Sequence, residues 1–244
     1  MGLPRVCLVV ALLGAATAFG GCSQQGSAPS PEQAQAQADA AKANNDLNTY
    51  RELLRINNDA MAVTMGKSIV EHFPDSAAAA EVQKTLPDIE KRYQENSEKN
   101  RLAALWQYQV APMAGGTQST ATILNSEPAT GERVKLVLRR HTKWGQNVFL
   151  FGSGKGFVCG RACTLDATVD GKPRRIKAFA PPTGEPALMI SDDKGFLKLL
   201  ADAKKIGIDV TLADGKKKET LVYEVGGFDP SRWSQLDKQK KKGA

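Results

Sequence analysis

Four regimes of hydrophobic and polar positions follow one another along the chain. Residues 6–18 form an almost unbroken apolar run, preceded by Arg5 and followed by the small residues Gly20 and Gly21 ahead of Cys22. Residues 23–42 are rich in Ser, Gln, Ala and Pro and hold almost no large apolar side chain. Such a stretch does not offset the entropy of ordering and is expected to be a flexible tether. From residue 45 to residue 105 apolar positions recur at helical spacing: Tyr50, Leu53 and Leu54 on one face, Ala62, Met65, Ile69 and Val70 on another. Asn57-Asn58-Asp59 predicts a break and a new N-cap between these faces. Phe73-Pro74-Asp75-Ser76 predicts the end of the second helix and the cap of a third, in which Pro87 is expected to cause a kink or a restart.

Beyond residue 106 the period changes to two. The segments TATILNS, VKLVLRR, NVFLFG, GFVCG, CTLDATV, RRIKAFA, ALMIS, GIDVTLA and ETLVYEV read as short strands. Thr130-Gly131, Trp144-Gly145, Asp170-Gly171 and Asp214-Gly215 supply turn signals between them. One helix interrupts the series, capped by Asp192 or Asp193, with Phe196, Leu197, Leu199, Leu200 and Ala203 on its buried face. The expected fold class is α+β: an N-terminal helical hairpin over residues 45–105, then an antiparallel sheet or sandwich over residues 106–229 with one inserted helix. Residues 230–244 read as a basic, disordered tail.

Composition narrows the function classes. The 244 residues are 41% hydrophobic and 24% charged, enough for a real core. After the N-terminus no stretch of 18 or more apolar residues occurs, which excludes a multi-span membrane protein. The net charge of +7 attracts anionic partners or simply marks a basic exported protein. Part of it sits in Lys238, Lys240, Lys241 and Lys242, where no aromatic residue interleaves, which argues against nucleic acid. His72 and His141 are the two histidines, too few for most His-based catalysis or for a His-rich zinc site. No cofactor, metal site or catalytic residue is therefore expected.

A few local motifs invite chemistry. Cys159 and Cys163 lie four apart around Gly160, a spacing that in a tight hairpin sets two thiols opposite each other and predicts a disulfide in an oxidising compartment. A redox pair would have two intervening residues, and a metal site would need further ligands. Gly152-Ser153-Gly154-Lys155-Gly156 departs from a phosphate loop, because Gly156 replaces Ser/Thr and a strand follows; it reads as a turn. Asp166 and Asp170 share the polar face of one strand, which turn chemistry and exposure explain without acid–base work. Arg139, Arg140 and Lys143 gather at a hairpin tip ahead of Trp144-Gly145 and form the one patch for an anionic partner.

Three resemblances add to this reading. Phe19-Gly20-Gly21-Cys22, behind Arg5 and the apolar run, resembles the lipobox of bacterial lipoproteins. The resemblance implies a signal peptide over residues 1–21, a diacylglycerol on Cys22, and a tether over residues 22–44. Ser23, where Asp would favour the inner membrane, implies an outer-membrane anchor facing the periplasm. The run HFPDSAAAAEVQ is similar to the end of a tetratricopeptide-type helical hairpin. The features Trp106-Gln107-Tyr108, Leu136-Val137-Leu138-Arg139-Arg140, Gly156-Phe157-Val158-Cys159 with Cys163, and Tyr223-Glu224-Val225-Gly226-Gly227-Phe228 resemble a family of uncharacterised β-rich domains in exported Gram-negative proteins. That family implies a β-rich domain with one helix and no catalytic residues. The expected function is a lipid-anchored envelope protein that binds or scaffolds, held to the membrane and meeting another envelope protein. The alternatives are an envelope hydrolase and a binder of an anionic envelope ligand.

Overall fold

The computed structural model describes residues 30–126, 131, 133–152 and 154–233. The expected signal peptide, Cys22 and the expected tether up to residue 29 lie outside them, as does the lysine run of residues 238–242. The fold is α+β.

Three helices come first: α1 (Pro31–Arg55), α2 (Asp59–His72) and α3 (Ala77–Ala104). Side-chain caps start each one, from Ser30, Asn58 and Ser76 to the backbone N–H three residues on. The expected hairpin is thus a three-helix unit, and it begins earlier than residue 45. Residues 31–44, expected to belong to the tether, are helical instead, because Ser30 and Gln33 form a reciprocal capping box and Pro31 occupies the first turn of a helix rich in Ala and Gln. Leu47, Tyr50, Ile69, Val82 and Ile89 centre a core that belongs to these helices alone. Gly66 allows the closest approach, since a Cβ there would lie 2.9 Å from Leu86 Cδ1 and 3.1 Å from the Tyr50 ring. Helix α3 runs through Pro87 without a break. Pro87 is exposed, so water can satisfy the carbonyl its ring leaves unpaired.

Past α2 the third helix is bare: residues 91–100 are all exposed and mostly polar or charged, the pattern of a helix that bridges two packed bodies. Its end is fastened to the β-rich part. Arg101 binds Glu98 and Glu224 together, and Trp106 Nε1 donates to the Val225 carbonyl at 3.3 Å.

Nine strands follow: β1 (Gln107–Met113), β2 (Gly116–Leu124), β3 (Lys135–His141), β4 (Gly145–Phe151), β5 (Cys163–Val169), β6 (Lys172–Phe179), β7 (Ala187–Ile190), β8 (Ile206–Thr211) and β9 (Lys218–Tyr223). They make one antiparallel sheet in the order β1-β2-β3-β4-β7-β6-β5-β8-β9. It is a single sheet rather than a sandwich, and it curls: Ser126, just past β2, bridges Val222 of β9. Period-two alternation sends Ile123, Leu136, Leu138, Leu150, Ile208 and Leu221 inward to one core. Each such side chain contributes roughly 1.5–3 kcal/mol by leaving water. Helix α4 (Asp193–Asp202), capped by Asp192, lays Phe196 and Leu200 onto that core.

Two boundaries differ from expectation. β1 is an edge strand that alternation does not mark, and its tight turn to β2 uses positive φ at Ala114 and Gly115. Residues 230–233, expected to open a disordered tail, form a short helix α5 (Pro230–Trp233) that buries Trp233, and the rest of that expected tail lies outside the described residues. Its indole Nε1 donates to the Ser119 carbonyl, and Ser119 Oγ donates back to the Trp233 carbonyl at 2.9 Å.

Cys159 and Cys163 form a disulfide with their Cα atoms 5.7 Å apart. It closes a loop ahead of β5 rather than a strand hairpin, since GFVCG joins no named strand and is held by the bridge from Phe157 to Leu212, by Val158 N–H on the Thr211 carbonyl, and by its Gly156 and Gly160 carbonyls, which accept from Ala213 and Ala180. A C159A/C163A variant is expected to lose about 2 kcal/mol, the loop-closure value for so short a ring. Urea unfolding of oxidised wild type against the variant measures it. An unchanged midpoint would show that the loop is ordered without the bond.

Candidate functional site

The outer face of the sheet is not uniformly polar. β3, β4 and β7 are neighbours, and each carries apolar residues on both faces: Leu-Val-Leu, Val-Phe-Leu-Phe and Ala-Leu-Met-Ile. The outward members, Val137, Phe149, Ala187 and Met189, form a small cluster of their own on the side away from the core. Above them lies a cleft of about 500 Å³, bounded on one side by Met113 and Trp144 and on the other by Pro181, Thr183 and Glu185 of the β6–β7 connection. Met113, Trp144 and Phe151 remain 44%, 47% and 40% exposed, so the cleft has an open apolar rim.

His141 sets the position of Trp144. Its Nδ1 accepts from the backbone N–H groups of Lys143 at 3.0 Å and Trp144 at 3.3 Å, and its Nε2 faces the Met113 carbonyl at 2.8 Å. Two donors at one nitrogen and an acceptor at the other assign the neutral tautomer with the proton on Nε2. The imidazole then stacks on the Trp144 indole at 3.9 Å. A buried histidine thereby ties the β1 end, the β3–β4 turn and the aromatic rim together.

Arg139 is the cationic group that lines the cleft. Its guanidinium carbon lies 5.3 Å from the Trp144 ring centre and 5.0 Å from that of Phe149, within cation–π range. One acceptor serves it, Asn147 Oδ1, at 2.9 Å. Its Nε is sealed from solvent with no hydrogen-bond partner. Burial holds the guanidinium below its usual range, while the charge of Glu185 acts the other way. Glu185 is held below the usual carboxylate range by the Thr183 hydroxyl, then by its own backbone N–H, with Arg139 a smaller influence.

The three basic residues expected to form one patch do not converge. Arg139 and Arg140 are neighbours within β3, not at a hairpin tip, and a strand sends neighbours to opposite faces. Arg140 stacks on Trp233 at 3.9 Å, under α5. Lys143 sits in the turn, its Nζ beside Gly115. Asp166 and Asp170 do not act together either. Asp170 accepts from the backbone N–H groups of Lys204 and Lys205, and Asp166 lies exposed 3.6 Å from Arg175. The glycine loop is pinned where Lys155 N–H donates to Asp214 at 2.9 Å. Phe149, Met189, Asn147 and Glu185 were not singled out from the sequence; the signal was present in the doubly apolar runs of β3, β4 and β7.

Among the described residues no group of three or more His, Cys, Asp or Glu is placed to hold a metal, and no helix is long and apolar enough to cross a membrane. Fold and cleft together define an α+β chain with a helical unit, a curled nine-stranded sheet and an aromatic groove on its outer face. No family model matches the chain, and no curated protein matches it. Among solved structures it is similar to invasion associated protein B from Bartonella henselae, at 17% identity and a TM-score of 0.38, over 55% of this chain and 93% of that one.

Proposed function

We propose that this chain is a bacterial envelope lipoprotein, lipidated at Cys22 and facing the periplasm from the outer membrane, that works by binding through the outer groove rather than by catalysis. The observation that carries the reading is the groove itself. It is an open, apolar, aromatic cleft of about 500 Å³ on the face of the sheet opposite the core. Exposed apolar surface of this kind serves contact with another molecule. Its lining offers a cation, aromatic rings and a Thr183 hydroxyl that donates to Glu185, and no histidine or cysteine. The disulfide suits an exported location. The bare stretches of α1 and α3 suit a chain that carries its binding surface away from an anchor. The partner is another envelope component, and the open edge strand β1, with Val110 exposed on it, offers a second place for a protein to add.

The test has two arms. Cells given an alkyne fatty acid are expected to label the wild-type chain and to leave C22S unlabelled, with the label in the outer-membrane fraction. A benzophenone amino acid in place of Trp144 is expected to cross-link a discrete envelope component, and the same probe at exposed Lys91 is not. A free thiol at Cys22 in mass spectra of the native protein overturns the anchor. Equal, diffuse cross-linking from both positions overturns the groove.

A further inference from the structure

The floor of the groove offers an occupant few main-chain hydrogen bonds. β2 and β3 are each paired on both sides, and β4 is paired to β3 along its length and to β7 over Phe149–Phe151, so most backbone N–H and C=O groups of the floor are already taken up in the ladders. An extended peptide lying across them would bury its own amides without partners. A molecule whose polar demand is gathered at one end avoids that cost. Arg139 marks where that end goes: a guanidinium has five N–H donors, and here one acceptor meets them while Nε is sealed and unpaired. Glu185 shares the cleft, but its carboxylate is engaged by Thr183 and makes no ion pair with Arg139 among the described residues.

We propose that the groove binds a single-chain amphiphile with a carboxylate head, its aliphatic chain across Val137, Phe149, Phe151 and Met189 and its carboxylate on the Arg139 guanidinium. This rests on the reading of the chain as an envelope binding module and names what the module takes. The cleft, about 500 Å³, falls inside the ~300–1,000 Å³ range of small-molecule sites. The guanidinium is planar by its own bonding and lies near the Trp144 and Phe149 rings, so a carboxylate meets it as a fork rather than as a point charge. Glu185 faces the same space and repels an incoming carboxylate, which sets the sign of a second variant.

The probe is sodium dodecanoate, titrated into the full-length C22S chain at neutral pH and below the concentration at which the probe self-associates. Of the three tryptophans, Trp106 and Trp233 are buried and Trp144 is 47% exposed, so the fluorescence response reports on the groove. A saturable blue shift is expected, and dodecanol, which keeps the chain and lacks the charge, is expected to bind about tenfold or more weakly. R139Q should bring dodecanoate down to the level of dodecanol. E185Q should tighten dodecanoate by roughly threefold and leave dodecanol unchanged. The acid–alcohol comparison needs no variant, so it stands if R139Q fails to fold. Equal binding of acid and alcohol, or weaker dodecanoate binding by E185Q, overturns the carboxylate. Absence of saturable binding overturns the amphiphile. If the Trp144 cross-linker then captures an envelope protein that dodecanoate does not displace, the binding-module reading survives this failure. If it captures nothing, both fall.

Discussion

Replacing Trp233 with Ala should cost about 3–5 kcal/mol, the range for removing a large aromatic side chain from a core. The indole is 2% exposed, stacks under the Arg140 guanidinium and lies 6.2 Å from the Phe228 ring centre. Its removal also leaves the Ser119 carbonyl without the indole N–H, deep between β1 and β3. Urea unfolding followed by far-UV circular dichroism measures the loss. W233F, which keeps a ring under Arg140 and gives up only the hydrogen bond and some area, is expected to lose roughly 1 kcal/mol. Truncation after Asp229 should reproduce the loss seen with W233A, because α5 contributes Trp233 as its buried residue. A truncated chain as stable as wild type would show that the last described turn is an appendage.

The joint between α3 and the sheet is the second sensitive place. A Cβ on Gly227 would lie 2.2 Å from Leu102 C, 2.3 Å from Ala103 N and 2.4 Å from Leu102 O, all backbone atoms that cannot swing aside. G227A is therefore expected to cost about 1–3 kcal/mol or to push the helix end off the sheet. Its neighbour is the control: a Cβ on Gly226 meets nothing closer than 3.4 Å, so G226A should be nearly silent. Hydrogen exchange over residues 101–106 separates the outcomes, rising in G227A while the strands stay protected. Protection unchanged in G227A would mean that the contact adjusts without cost. In the proposed function the joint would set the direction in which the bare helix carries the groove away from the anchor.

The start of α1 shows how a composition argument can miss local structure. Residues 31–42 carry no buried side chain, so nothing in their hydrophobic pattern called for order. Ser30, Pro31 and Gln33 nevertheless write a helix start, and once the buried turns from Ala43 onward are fixed, extending the helix through Ala and Gln costs little. β1 escaped notice for a different reason. An edge strand wets both faces, so QYQVAPM shows no alternation, and only its pairing with β2 makes it a strand.

The one-dimensional pattern determined what is local about this protein. Side chains that alternate along a strand or recur along a helix must share a face, so the α+β class, the inward residues of the alternating strands, and the helix starts near Asn57–Asp59, near Ser76 and at Asp192 or Asp193 could be read directly. The tertiary structure decided which stripes meet. Setting β7 beside β4 gathers Phe149, Ala187 and Met189 into one floor, and the pleat of β3 gives Arg139 to the groove and Arg140 to Trp233. Neither follows from spacing, because strand order is set by burial of the whole core, which no short window of sequence contains.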